Sequence, residues 1–213
     1  MMGHTKRLQD PMTKKAMMIG EGRDDANVLK ALRDDMGLTA SIHVRQYGGK
    51  NNLPDFLMNL RDVSGFRNLK AIGITRDADA DPKGAFQSVQ NALSKAGFPV
   101  PGVQMKIVSG KPEVSVLILP DGRSTGCLED LCRQAVCHKD AAVCVDRYLQ
   151  CLRDEGVPLP AAPNDAKTWV RAYLASCRDP GKRPGEAAFA GYWPWDSQVF
   201  DQLKRLIRQI EPA

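Results

Sequence analysis

Short apolar runs alternate with amphipathic segments over the first half of the chain. Three runs have the length and the flanking turn residues of buried strands, at residues 16–20, 41–47 and 69–75. Three segments repeat apolar side chains at helical spacing, at residues 24–36, 53–61 and 82–95. Asp81 is a suitable N-cap for the last of these, followed by Pro82. Strands that alternate with helices are typical of an α/β fold on a parallel sheet.

The pattern changes after the third predicted helix. Residues 104–108 and 114–119 are apolar and flank Ser109-Gly110-Lys111-Pro112, which predicts a hairpin and therefore a mixed sheet. Beyond Pro120 only helical spacing remains, at residues 128–136, 140–153, 166–176 and 197–210. Two proline-rich stretches, 157–163 and 180–184, separate these helices.

These patterns together predict an α/β, Rossmann-like protein with a mainly parallel sheet, flanking helices and a helical C-terminal extension. We expect residues 1–13 to be a flexible N-terminal tail and residues 14–124 to form the α/β core. Residues 125–213 are expected to pack on that core and to complete its functional site.

Composition narrows the classes of function. The chain has 213 residues, of which 43% are hydrophobic and 26% are charged, as in one ordinary globular domain. This length excludes the large multi-domain machines of nucleic-acid metabolism. The longest apolar runs are far shorter than the roughly 18 residues of a membrane span, and no secretory signal is readable, so we expect a cytoplasmic protein without a membrane partner. A net charge of +5 is compatible with a polyanionic partner without identifying one.

Acidic residues follow two of the predicted strands. Glu21 comes directly after the first strand, and Asp77 and Asp79 come directly after the third. Ligands gather beyond the carboxyl ends of strands in open α/β sheets. If extended geometry continues through the corner, Asp77 and Asp79 face the same way. Three ionised carboxylates at one edge require a counter-charge, which a hard divalent cation such as Mg²⁺ supplies.

Asp77-Ala78-Asp79-Ala80-Asp81 has other interpretations. By itself the run is best explained as a solvated turn before a helix N-terminus, where carboxylates are favoured. An EF-hand calcium loop is excluded because Pro82 stands where glycine is required and Ser88 where glutamate is required. A phosphate-binding P-loop at Gly49-Lys50 is excluded because Val44 stands where glycine is required.

The ordered set of motifs resembles a known family. Glu21-Gly22-Arg23-Asp24-Asp25 and the later Asp77-Ala78-Asp79 resemble the paired signature of the Toprim domain. That domain is shared by type IA and type II topoisomerases, bacterial primases, small RNA maturases and overcoming-lysogenization-defect (OLD) nucleases. The chain is still more similar to stand-alone Toprim-like bacterial proteins of unassigned function. The further matching elements are Tyr47-Gly48-Gly49-Lys50-Asn51-Asn52, Leu119-Pro120-Asp121-Gly122, Gly126-Cys127-Leu128-Glu129-Asp130-Leu131, Lys167 and Gly191-Tyr192-Trp193.

The resemblance implies a set of metal-binding and catalytic residues. The metal carboxylates of OLD-type nucleases match Glu21, Asp25, Asp77, Asp79 and Glu129, with Cys127 where that family has serine. Lys167 matches a downstream catalytic lysine, beside Glu21, Asp77 and Asp79 as catalytic residues. Gly48, Gly49 and Lys50 form either a phosphate-contacting loop or a tight turn, and the family context favours the phosphate contact.

The implied function is hydrolysis of nucleic-acid phosphodiester bonds by a Toprim-type nuclease that uses two Mg²⁺ or Mn²⁺ ions. DNA or RNA is the expected partner, and a homo-oligomer or a protein partner stays open. The alternative is a non-catalytic Toprim-like module that binds nucleic acid, a nucleotide or a partner protein. Trp169, Trp193 and Trp195, near several arginines, could stack on single strands. Burial in the helical extension is the favoured explanation of these tryptophans.

Overall fold

The computed structural model describes residues 11–161 and 164–212. Its centre is one sheet of four parallel strands in the order β2-β1-β3-β4. The strands are β1 Ala16–Gly20, β2 Ile42–Gln46, β3 Ala71–Asp77 and β4 Glu113–Leu119. Because β1 and β3 are the two inner strands, their carboxyl ends meet at the middle of one sheet edge. The arrangement is an α/β, Rossmann-like fold with additional C-terminal helices, as predicted.

Both faces of the sheet are buried, which is why its strands are continuous apolar runs. Met18 and Leu117 belong to one hydrophobic core, which the first helix and the C-terminal helices complete. Met17 and Ile72 belong to a second core, on the opposite face. The helices are α1 Arg23–Asp35, α2 Leu53–Leu60, α3 Pro82–Lys95, α4 Leu128–Val136, α5 Asp140–Asp154, α6 Asn164–Ala175, α7 Pro184–Phe189 and α8 Asp201–Gln209. Short 3₁₀ turns lie at Phe66–Asn68 and Gln198–Phe200.

The predicted hairpin and mixed sheet are wrong. Strand β4 pairs with β3 in parallel along its whole length, so α3 and the loop after it form a crossover connection. The segment 104–108 makes only one isolated antiparallel bridge, between Val108 and Val114. At its other end the Gln104 side chain, rather than the backbone, accepts the Ile118 N–H. Met105 has a positive φ of 58°, which interrupts an extended ladder.

The helical predictions agree closely with the structure. Helices α3 and α4 have the predicted bounds, and the Asp81 side chain accepts the Gly84 N–H as the N-cap of α3. Helix α7 was missed because the proline-rich stretch before it suggested only a separator. Trp169 and Trp193 are each 1% exposed, which confirms packing for these two residues. Trp195 is only partly buried, and its ring packs edge-on against Phe200.

The predicted N-terminal tail, residues 1–13, lies only partly within the described residues. The first ten residues of the expected tail lie outside the described residues. Met12 is 3% exposed and its N–H donates to the Ser64 carbonyl, so the fold includes this residue. Over the ranges that the structure describes, no helix has the length and apolarity needed to cross a membrane.

Helix α7 packs against α1 through Gly185. The Gly185 N–H donates to Asp24 Oδ1 at 3.2 Å. A Cβ at this position would lie 2.6 Å from the Asn27 Cβ and 3.1 Å from the Asp24 Cα. The two helices therefore approach too closely for any side chain at residue 185.

Gly185→Ala is accordingly expected to lower the free energy of unfolding by about 1–3 kcal/mol, because the added methyl group forces α7 away from α1. Chemical denaturation of the purified variant measures this loss. Gly181→Ala is the matched control, since a Cβ there meets nothing within 4 Å. Equal stability of the two variants would show that α7 does not dock as described.

Candidate metal centre

The predicted acidic residues lie at the carboxyl edge of β1 and β3. Glu21 directly follows β1, and Asp77 is the last residue of β3. Asp25 lies in the first turn of α1, and Glu129 lies in the first turn of α4. Two strand ends and two helix N-termini therefore converge on one place, although the residues are far apart in the sequence.

Close packing at Gly20 directs Asp25 toward the strand end. A Cβ on Gly20 would lie 2.9 Å from the Asp25 Cβ and 3.2 Å from the Ala26 nitrogen. Only glycine therefore lets the start of α1 fold back so tightly on β1. Asp25 Oδ2 then accepts the Gly22 N–H at 3.0 Å, which orients the carboxylate.

Backbone pairing brings the end of β3 to α4. The Asp79 N–H donates to the Gly126 carbonyl at 2.9 Å, and the Gly126 N–H donates back to the Asp79 carbonyl at 2.8 Å. Asp77 Oδ1 accepts the Leu128 N–H at 3.0 Å. Asp130 caps α4 by accepting the Cys127 N–H. These bonds place the Cys127 and Glu129 side chains beside Asp77.

Asp77, Cys127 and Glu129 form a group that could hold a metal ion. One carboxylate oxygen of each acid and the Cys127 Sγ all lie within 4.8 Å of one another. Cys127 is fully buried, and the two acids are partly exposed. Three donor atoms at this separation can share a single cation.

Burial and repulsion by neighbouring acids raise the pKa values of Asp77 and Asp25. Burial raises the pKa of Asp77 well above its usual range, and the negative charges of Asp25, Glu129 and Glu21 add to this effect. Burial and then the Glu129 charge raise the pKa of Asp25 to about 6. If all of these carboxylates were ionised, they would repel one another, and the protein alone would not supply enough positive charge to offset the repulsion.

Glu21 and Asp79 belong to the same electrostatic cluster. Burial raises the pKa of Glu21, the nearby Arg76 charge lowers it, and the Asp79 charge raises it again. The Tyr47 hydroxyl donates a long hydrogen bond of 3.4 Å to Glu21 Oε2. The acids predicted to bind metal thus interact with one another, while their roles as ligands stay a prediction.

One carboxylate oxygen in the cluster lacks a hydrogen-bond partner. Asp25 Oδ1 has no contact with solvent and no hydrogen-bond partner, the single buried side-chain oxygen or nitrogen of this kind in residues 11–161 and 164–212. Leaving a carboxylate oxygen unpartnered and buried is costly. A divalent cation would satisfy it and would neutralise the neighbouring acids, so the residues present fit a metal ion.

Lys167 of α6 interacts electrostatically with the cluster. Burial by itself lowers the pKa of Lys167, but Glu129, Asp77 and Asp79 among its neighbours outweigh this effect and raise the pKa. The lysine is therefore an ammonium ion whose charge is stabilised by the acids. The C-terminal helices supply both Lys167 and Glu129 to the edge of the sheet.

The expected strand geometry at Asp79 is wrong. Asp79 has φ of 51°, in the left-handed region, so side chains two residues apart do not continue to the same face. Its carboxylate forms an ion pair of 3.6 Å with Lys50 Nζ, and both side chains are substantially exposed. Asp79 therefore lies at the open rim of the cluster, whereas Asp77 lies deep within it.

Gly48 and Gly49 hold the loop after β2 against β1. Both have a positive φ, and their N–H groups donate to the Glu21 carbonyl at 2.9 and 3.1 Å. These N–H groups are thus occupied inside the protein. Because these two N–H groups are occupied, the phosphate contact predicted for this loop would have to come from the Lys50 ammonium group.

Three residues near the acids were not assigned a role from the sequence. The resemblance marks Cys127 only as a departure from the family pattern, although its position two residues before Glu129 is an available signal. Tyr47 was a matched motif residue without a stated role. The sequence gives no indication that Arg76 acts near the acids, because the alternation of side chains along β3 directs it away from Asp77. Its guanidinium donates a hydrogen bond to Ser88 Oγ of α3.

Comparisons with known proteins place the chain in a family. No curated protein matches it significantly. Two solved structures of the C-terminal region of the OLD protein of Xanthomonas campestris pv. campestris, phased with iodine and with mercury, are similar to it. Their identities are 17% and 16% and their TM-scores 0.47 and 0.48, with 93% of this chain and 97% of each solved chain covered. The family model described as "Protein of unknown function (DUF3226)" matches residues 15–211, and the chain therefore belongs to that family.

Proposed function

We propose that this protein is a Toprim-type hydrolase that cleaves nucleic-acid phosphodiester bonds with the help of Mg²⁺ or Mn²⁺. The observation that carries the proposal is the buried, partnerless Asp25 Oδ1 within a cluster of acids that repel one another. Stability alone does not select such a cluster, because replacing any one of these acids by a neutral side chain would relieve the repulsion. A site that recruits divalent cations explains why the charges are retained.

The acids divide into two neighbouring groups. Asp77 and Glu129 offer oxygens on one side, together with Cys127. Glu21 lies on the other side, where the Asp79 charge raises its pKa. The charges of both Glu129 and Glu21 raise the pKa of Asp25, so Asp25 interacts electrostatically with both groups. Carboxylate oxygens are the preferred ligands of Mg²⁺ and Mn²⁺, and two groups of acids suit a pair of ions.

Bound divalent ions would supply an activated water nucleophile and stabilise negative charge on the phosphate. The protein's own cations then orient the substrate. Lys167 of α6 interacts electrostatically with the acids and can bind a non-bridging phosphate oxygen as negative charge develops there. Lys50 is 56% exposed at the rim and can guide the adjoining phosphate into the site.

Electrostatics favour the catalytic proposal over a module that only binds nucleic acid. A polyanion is repelled by a cluster of carboxylates, so nucleic acid can approach this edge only after cations have neutralised them. The net charge of +5 shows that the basic residues needed for general attraction are present elsewhere on the chain. A requirement for metal in substrate binding and cleavage follows from this distribution.

A panel of single-stranded and double-stranded DNA and RNA, incubated with the purified protein, tests the proposal. Cleavage is expected with Mn²⁺ or Mg²⁺ and is expected to disappear with EDTA. Calorimetric titration of the protein with Mn²⁺ should show saturable binding. Metal binding without cleavage of any nucleic acid would support the non-catalytic alternative, and the loss of both would refute the metal centre.

A further inference from the structure

We propose that Cys127 is a direct metal ligand and that its sulfur shifts the preference of this centre from Mg²⁺ toward Mn²⁺ and Zn²⁺. The inference rests on the proposed function and specifies the metal that the site prefers. It concerns the position at which the chain departs from the serine of the family that it resembles.

The location of Cys127 is that of a ligand. Its sulfur lies within 4.8 Å of carboxylate oxygens of both Asp77 and Glu129. Cys127 is the N-cap residue of α4, so its backbone is held by the capping interaction with Asp130. The thiol makes a weak 3.4 Å contact with Asp130 Oδ2, which a metal ion could readily displace. The sulfur is thus pre-positioned with two hard oxygen donors.

A second observation indicates that an ion belongs in this place. Asp25 Oδ1 is buried without a partner, and after burial the Glu129 charge is the largest influence that raises the pKa of Asp25. The carboxylate with the unsatisfied oxygen therefore interacts electrostatically with a member of the group formed by Asp77, Cys127 and Glu129. A cation among these three side chains would also offset the negative charge that acts on Asp25.

Ligation by Cys127 involves a simple exchange. The Sγ–H bond breaks, an Sγ–metal bond forms, and the proton passes to bulk water, so no oxidant or reductant is needed. Mg²⁺ binds sulfur poorly and prefers six oxygen ligands, whereas Zn²⁺ accepts thiolate and Mn²⁺ binds nitrogen and sulfur more readily than Mg²⁺ does. One sulfur among oxygens therefore weakens Mg²⁺ binding relative to the other two ions.

Titration of the metal-free protein with Co²⁺ tests the inference without relying on activity. A thiolate bound to Co²⁺ gives a near-ultraviolet charge-transfer band that oxygen ligands do not give. We expect this band in the wild-type protein and in Cys151→Ser, a control that removes an exposed thiol. We expect Cys127→Ser to bind Co²⁺ without the band.

Competition titrations supply the second measurement. Cys127→Ser is expected to change the ratio of Zn²⁺ to Mg²⁺ affinity by at least about tenfold in favour of Mg²⁺. Circular dichroism of Cys127→Ser and of Cys127→Ala identifies any loss of fold, and the wild-type spectrum tests the inference even if both variants unfold. Co²⁺ binding to the wild type without the band overturns the inference and leaves the metal centre intact. Absence of Co²⁺, Mn²⁺ and Mg²⁺ binding to the wild type overturns the centre itself.

Discussion

Asp77→Asn is expected to abolish metal-dependent cleavage of nucleic acid while leaving the fold intact. Asp77 is the acid that connects β3 to the group formed with Cys127 and Glu129. Asparagine keeps an Oδ1 that can accept the Leu128 N–H, so the anchoring of α4 is preserved. The variant would lose a carboxylate of the proposed metal centre. Replacing a residue that only supports a metal ligand lowers metal affinity or activity by about 10–100-fold, so a loss of more than about 100-fold is expected here.

Cleavage rates at saturating Mn²⁺, with circular dichroism for the fold, measure this effect. Asp62→Asn is a matched control, because Asp62 is an exposed carboxylate in the turn after α2. Its cleavage rate should equal that of the wild type. A variant Asp77→Asn that retains wild-type cleavage would contradict the assignment, whereas one that loses cleavage and still binds nucleic acid would separate catalysis from binding.

The metal-free protein is expected to be less stable near pH 8 than near pH 5, which is the reverse of ordinary acid denaturation. Burial and neighbouring acids raise the pKa of Asp25 from 3.8 to about 6 in the folded state. Burial also raises the pKa values of Asp77 and Glu21. A raised pKa means that folding favours the protonated carboxyl group.

The folded protein loses stability as the Asp25 carboxyl group ionises. The stabilisation by the protonated Asp25 is complete below its unfolded-state pKa of 3.8 and is lost as the pH rises through about 6. The full loss for Asp25 is on the order of 3 kcal/mol, since one pKa unit corresponds to about 1.4 kcal/mol, and about half of it falls between pH 5 and pH 8. For a chain of this length that half amounts to a fall of roughly 3–6 °C in melting temperature.

Thermal melts in EDTA near pH 5 and near pH 8 measure this difference. Saturating Mn²⁺ near pH 8 should restore the melting temperature, because ligand binding to the folded state stabilises it by mass action. Asp25→Asn should show a smaller dependence on pH, and Asp62→Asn should behave as the wild type. A wild-type melting temperature that rises from pH 5 to pH 8 in EDTA would contradict the electrostatic description of the cluster.

Several parts of the fold could be predicted from local patterns. Strand β1 and helices α3 and α4 have the predicted bounds, because a buried apolar run and a well-capped helix depend on neighbouring residues alone. The pairing of β4 could not be predicted in this way. A turn-like segment at 109–112 suggested a local hairpin, whereas the parallel register with β3 depends on residues about 40 positions away.

The candidate site shows the same division. The acids that follow β1 and β3 could be located from the sequence, because strand ends in an α/β sheet are recognisable and their ligand-binding edge is general. The rim position of Asp79 could not, because the reversal of φ at this residue accompanies its backbone pairing with Gly126. The resemblance to the Toprim family indicated Glu129 and Lys167, but only the folded chain brings Glu129 beside Asp77 and Lys167 within electrostatic reach of both.

Residue types and their spacing were therefore sufficient for the α/β class, for every helix in the described residues except α7, and for the identity of the acids. The depth of each acid, the partnerless oxygen of Asp25 and the closeness of the Cys127 sulfur emerged only when distant segments packed together. The physical reason is that secondary structure follows from the periodicity of neighbouring side chains. Burial, repulsion and ligand geometry instead depend on which surfaces meet across the fold.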